Sequence, residues 1–75
     1  MKQVYEQIVQ NLNKNFPEYK FELDMFEGYA FIYVYDDKDF IYQIDIERIV
    51  SGSKITNPNK LYRICLIILE DRVGV

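Results

Sequence analysis

Residues 29–36 read Tyr29-Ala30-Phe31-Ile32-Tyr33-Val34-Tyr35-Asp36, with aliphatic and aromatic side chains in strict alternation. Successive side chains of a strand point to opposite faces. The segment therefore specifies a strand with one face of Ala30, Ile32 and Val34 and another of Tyr29, Phe31, Tyr33 and Tyr35. Its neighbours in sequence have the same period. Over 19–27, Tyr19, Phe21, Leu23 and Met25 alternate with Lys20, Glu22 and Asp24, joined by Phe26. Glu27-Gly28 then offers a tight turn, glycine tolerating the positive φ it needs. After Asp37-Lys38-Asp39, a third strand is expected over 40–50, with Phe40, Tyr42, Ile44 and Ile46 opposite in facing to Ile41, Gln43, Asp45 and Glu47.

Register follows from the requirement that apolar faces coincide, since a one-residue slip exchanges the two faces of a strand. A two-residue turn at 27–28 sets Leu23 opposite Ile32 and Phe21 opposite Val34. At the second turn, a three-residue loop over 37–39 sets Ile32 opposite Ile44 and Val34 opposite Tyr42. A two-residue loop would place Gln43 and Asp45 in the core. The three-residue loop is therefore expected, with a left-handed residue near Asp39.

Before the strands the period is helical. Val4, Tyr5, Ile8, Val9, Leu12 and Phe16 recur at steps of three and four over 1–16, and Asn13, Asn15 and Pro17 close the element. Ser51-Gly52-Ser53 reads as a break. Asn57 with Pro58 is a helix start, and Leu61, Ile64, Cys65, Ile68 and Leu69 form a helical stripe ended by Gly74. A fourth strand competes over 57–73, because 61–69 is Ile-rich and apolar on both faces, and because Glu70 and Asp71 oppose a helix dipole. The expected fold is one α+β domain over 1–75, α-β-β-β-α, with an antiparallel meander and a C-terminal helix. At 75 residues its core is thin, but 49% of residues are hydrophobic and seven Tyr and five Phe bring large area each.

Chemistry is sparse. The chain has no histidine, the commonest general base and zinc ligand. Cys65 lies in the apolar run Ile64-Cys65-Leu66-Ile67-Ile68-Leu69 and reads as a packing residue. Asp36-Asp37-Lys38-Asp39 lacks the spacing of a calcium loop, and Gly52-Ser53-Lys54 lacks the upstream glycine of a phosphate loop, position 47 being Glu47. No catalytic residue, cofactor or metal is expected. A secretory leader and a membrane span are not expected either, and the expected compartment is the cytoplasm of a bacterial host cell.

Charge is distributed unevenly. Residues 18–47 carry nine carboxylates against two lysines, whereas 48–75 carry five bases and two acids; the whole chain is −3. The aromatic row would then lie between Glu22 and Asp24 on one side and Asp45 and Glu47 on the other. That is more apolar surface than a monomer leaves bare, so the C-terminal element, a second copy or a partner should cover it. The element order is similar to that of double-stranded RNA-binding domains, which grip phosphates with a lysine cluster opening their second helix. Here Asn57-Pro58-Asn59-Lys60-Leu61 offers one lysine, and the acidic strands disfavour direct nucleic-acid binding. In size, charge and composition the chain looks like the small acidic inhibitors of phage and mobile elements, anti-CRISPR proteins among them. The expectation is a protein-binding module that blocks a basic groove of a nucleic-acid-processing enzyme. Glu22, Asp24, Asp36, Asp37, Asp39, Asp45 and Glu47 would supply charge, and Tyr33 and Tyr35 anchors. The alternative is a structural homo-oligomer, a homodimer among the possibilities, or an accessory domain, with the aromatic sheet face as its self-association surface.

Overall fold

The computed structural model describes residues 1–75. Helix α1 spans Lys2–Asn15, strands β1, β2 and β3 span Tyr19–Phe26, Tyr29–Asp36 and Asp39–Asp45, and helices α2 and α3 span Ile46–Ser53 and Pro58–Arg72. The strands form one antiparallel sheet in the order β1-β2-β3. Leu23 faces Ile32 and Phe21 faces Val34 across the first hairpin, as the apolar pattern requires. Gly28 takes φ 75° in its turn.

The second hairpin has the expected pairing but a different turn. Ile32 faces Ile44 and Val34 faces Tyr42, yet Asp36 faces Asp39, so only Asp37 and Lys38 lie in the turn. The extra residue is taken up inside β3, where the register shifts between Tyr35↔Phe40 and Val34↔Tyr42. A β-bulge of this kind sets two residues against one and restores the face of everything beyond it. The left-handed residue is accordingly Asp37, at φ 59°, rather than Asp39. The bulge also moves Phe40 from the aliphatic face to the aromatic one, where its ring meets Tyr33 and Tyr35.

The third strand is shorter than the expected 40–50. It stops at Asp45, whose Oδ1 accepts from the Arg48 N–H at 3.1 Å and so caps α2. An N-cap carboxylate satisfies one of the orphan donors of a helix start, which favours turning here over extending the strand. Ile46, Ile49 and Val50 then fall on one face and pack into the core. The helix runs through Gly52 and ends at a left-handed Lys54, φ 62°. At 57–73 the helical reading holds. Asn57 Oδ1 accepts from the N–H groups of Asn59 and Lys60, Pro58 opens α3, and Leu61, Cys65 and Leu69 are buried.

All three helices lie on one side of the sheet. The core consists of Phe21, Ala30, Ile32, Val34 and Ile44 from the strands, Tyr5, Ile8, Val9 and Leu12 from α1, Ile46 from α2, and the three buried residues of α3. Two polar ties fasten this layer. The Asn13 amide is bonded to both main-chain groups of Phe21, its Nδ2 donating to the Phe21 oxygen and its Oδ1 accepting from the Phe21 N–H, each at 2.9 Å. The Tyr5 hydroxyl donates to Glu47 Oε2 at 2.8 Å, linking α1 to α2.

A candidate interaction face on the sheet

Every strand side chain of the opposite parity is left uncovered. Along β2, Tyr29 and Phe31 stack with ring centroids 6.1 Å apart, and Phe31 and Tyr33 at 6.2 Å. Phe40 completes the row, meeting Tyr33 and Tyr35 edge-on at 5.9 Å each. Five rings therefore form one ridge. Stacking half-buries Phe31, Tyr33 and Tyr35, while Tyr29 and Phe40 remain 57% and 53% exposed and Phe26, at the β1 end, 74%. Offset and edge-to-face pairs stabilise one another by about 0.5–1.5 kcal/mol beyond area burial, so the ridge is ordered without a covering layer.

The carboxylates are placed unequally. Glu22 and Asp24 are exposed on β1 beside the ridge; Glu22 pairs with Lys20 at 3.0 Å, and Asp24 Oδ2 accepts from the Tyr33 hydroxyl at 3.4 Å. Partial desolvation among the rings, then the Asp24 charge, raises the Tyr33 phenol above its ordinary pKa. Tyr33 and Asp24 thus form one exposed hydrogen-bonded pair beside the ridge. Asp36, Asp37 and Asp39 are exposed around the second turn, where Lys20, Glu22, Tyr35, Asp37 and Lys38 line a shallow depression. Asp45 faces Phe31 across the β2–β3 pair, but its carboxylate is engaged in capping α2.

Glu47 does not belong to this face. With β3 ended at Asp45, it sits in the first turn of α2 and accepts from buried Tyr5 on the helix side of the sheet. The sequence signal for this was present: an aspartate followed by Ile46, Ile49 and Val50 is the pattern of a capped amphipathic turn. Phe40 is the ridge residue that sequence reasoning missed, because only the bulge places it there.

No three acidic, cysteine or histidine side chains converge as metal ligands. Cys65 is buried, and desolvation pushes its thiol up to about 12, far from the thiolate form a nucleophile needs. No helix is long and apolar enough to cross a membrane. No protein-family model matches the chain, and neither the curated proteins nor the solved structures contain a match to it.

Proposed function

We propose that the chain is a non-catalytic protein-binding module, and that the outer sheet face is its docking surface. The observation that carries this reading is the uncovered ridge of Tyr29, Phe31, Tyr33, Phe40 and Tyr35, with Glu22 and Asp24 along one flank. Tyr-rich surfaces bring large contact area with few rotors to freeze, and carboxylates at their rim steer a basic partner. Three helices and the whole aliphatic core lie on the other side of the sheet, so nothing in the fold itself uses these rings.

The partner class that fits is a basic groove of a nucleic-acid-processing enzyme, in which Glu22, Asp24 and the Asp36-Asp37-Asp39 turn stand in for phosphates. Cations stacked on the rings would add to the charge pairing. An inhibitor of this kind, working in the cytoplasm of a phage- or plasmid-bearing bacterium, accounts for the acidic strands and for the lack of a reactive group. Self-association face to face is less favourable, because it would bring two acidic rims together. Direct stacking of single-stranded nucleic acid meets the same repulsion.

The test is retention of proteins from the heparin-binding fraction of a bacterial lysate on immobilised protein. Retention is compared at about 0.1 M and about 1 M salt, where the screening length falls from roughly 10 to 3 Å. The reading expects an enzyme that is retained at low salt, is displaced by competing duplex DNA or RNA, and is lost with the Glu22→Lys/Asp24→Lys variant. Asp45 is left intact because its removal would weaken α2. Retention that neither nucleic acid nor charge reversal disturbs would contradict it.

A further inference from the structure

The outer face has a repeat as well as a charge. Tyr29, Phe31 and Tyr33 stack at centroid distances of 6.1 and 6.2 Å, with ring planes only 11° and 15° from parallel. A ligand that meets one of these rings meets the next in the same attitude one step along. The step is close to the two-residue rise of an extended chain, roughly 6.4–6.8 Å. Every fourth residue of a helix has a similar rise, about 6 Å, but turns away by about 40° at each step and leaves a straight row by the third contact.

The β1–β2 register assigns a different neighbour to each ring. Glu22 stands opposite Tyr33, Asp24 opposite Phe31 and Phe26 opposite Tyr29. Opposed side chains of an antiparallel pair have Cβ atoms about 4.5–5.5 Å apart, so each central ring has a carboxylate within reach of a cation lying on it. Asp45 stands on the other side of Phe31, although its Oδ1 is given to the α2 cap. At one end of the row Tyr35 is opposite Lys20, which repels a cation. Lys20 also shares Glu22 at 3.0 Å, but both side chains are well exposed and such a pair exchanges readily. At the other end Phe26, 74% exposed, makes the row apolar beside Tyr29. Two successive steps therefore suit cations, and the third suits an apolar side chain.

We infer that the element of the partner seated on this ridge is an extended segment with arginine at two alternate positions and an apolar side chain at the next. The inference rests on the docking role proposed for the outer face and adds to it the form of the ligand. Arginine fits because its flat, weakly hydrated guanidinium stacks on a ring while its edge bonds a carboxylate beside that ring. Lysine, a compact and strongly hydrated charge, does not do both. A second copy of the chain does not supply the pattern, since no two of its bases stand two residues apart.

Fluorescence anisotropy of labelled peptides with the full chain tests this. The lead peptide, Leu-Ser-Arg-Ser-Arg-Ser-Leu, offers the same pattern in either direction along β2. Its isomers set the two arginines adjacent, three apart or four apart with composition unchanged. The alternating peptide should bind about tenfold more tightly than any isomer, because only it seats both arginines at once. Replacing both arginines by lysine should weaken it by about threefold. Phe31→Leu keeps an apolar side chain without a π face and should shrink the preference for arginine over lysine, with far-UV circular dichroism reporting an intact fold. Equal affinity across the isomers, a maximum at four apart, or no binding at millimolar peptide would overturn the inference. Should the peptides fail while the lysate enzyme is still retained through Glu22 and Asp24, the docking role stands and the extended arginine form alone falls. Should that retention fail as well, both fall.

Discussion

The two faces of β2 come from one strand eight residues long, yet they have opposite fates. Ala30, Ile32 and Val34 are fully buried under the helices; Tyr29, Phe31, Tyr33 and Tyr35 alternate with them and have no layer over them. The aliphatic face therefore carries the fold. The aromatic face has only its own stacking to stabilise it. A strand can afford two apolar faces in a thin domain only if the second is made of side chains that tolerate water, and tyrosine, with its polar tip, is such a side chain.

The contrast is broken most sharply by truncation on each face. Ile32→Ala should cost about 2–5 kcal/mol of unfolding free energy, because the helices above it cannot close the cavity. Phe31→Ala, its neighbour on the other face, removes two stacked pairs from a half-buried ring and should cost about 1–3 kcal/mol, less than Ile32→Ala. Urea denaturation of the pair measures both, and equal costs would mean that the outer face is a second core.

Next in size is the tie that fixes the covered side to the β1 edge. Asn13→Ala leaves both main-chain groups of Phe21 without partners, and about 1–3 kcal/mol should be lost by the same assay. A loss near zero would show that water replaces the amide at that edge.

The pattern of the strands made most of this legible. Which side chains share a face, and which residues oppose one another, follow from a period of two and from the need to bury Ile32, Val34 and Ile44 together. The strand pattern is ambiguous where one residue has to be absorbed. An odd number of positions between Asp36 and Tyr42 can be accommodated by a longer turn or by a bulge, and both give the same core. The chain adopts a tight Asp37-Lys38 turn and the bulge at Phe40, a choice made by turn and strand geometry that hydrophobic matching does not see. The end of β3 is ambiguous for another reason. Ile44, Ile46 and Val50 fit a strand period, but Asp45 caps the helix and Ile46 reaches the core from α2 instead. Of the residues expected to form the site, Glu22, Asp24, Tyr33 and Tyr35 are brought together, the Asp36-Asp37-Asp39 turn lies at one end, Asp45 is engaged as a cap, and Glu47 is on the far side.

A pH titration sharpens the difference between the faces more gently. The Cys65 thiol ordinarily ionises near 9 and is pushed up to about 12 by burial. A raised folded pKa means stability that is full below pH 9 and is lost as pH climbs toward 12. Tyr5 shifts in the same direction, through burial and its bond to Glu47, and adds to the decline above pH 10. Urea midpoints should therefore fall across that range, and Cys65→Ala should flatten the fall while lowering the plateau. A slope unchanged by Cys65→Ala would place the alkaline sensitivity elsewhere. The smallest effect belongs to the outer rim: Asp24→Asn, at an exposed side chain, should move the urea midpoint by no more than the equivalent of about 0.5 kcal/mol.

The most direct measurement compares binding with stability in one variant of the ridge. Tyr33→Ser/Asp24→Lys removes the central ring and reverses the charge beside it. Its retention of a heparin-binding enzyme and its thermal midpoint are read side by side with those of the unaltered protein. Retention lost with the midpoint moved by only a few degrees is the result the docking proposal predicts, because it assigns these side chains to a partner and not to the core. Retention that survives the double change, or that is lost only because the protein no longer folds, would contradict a docking role for this face.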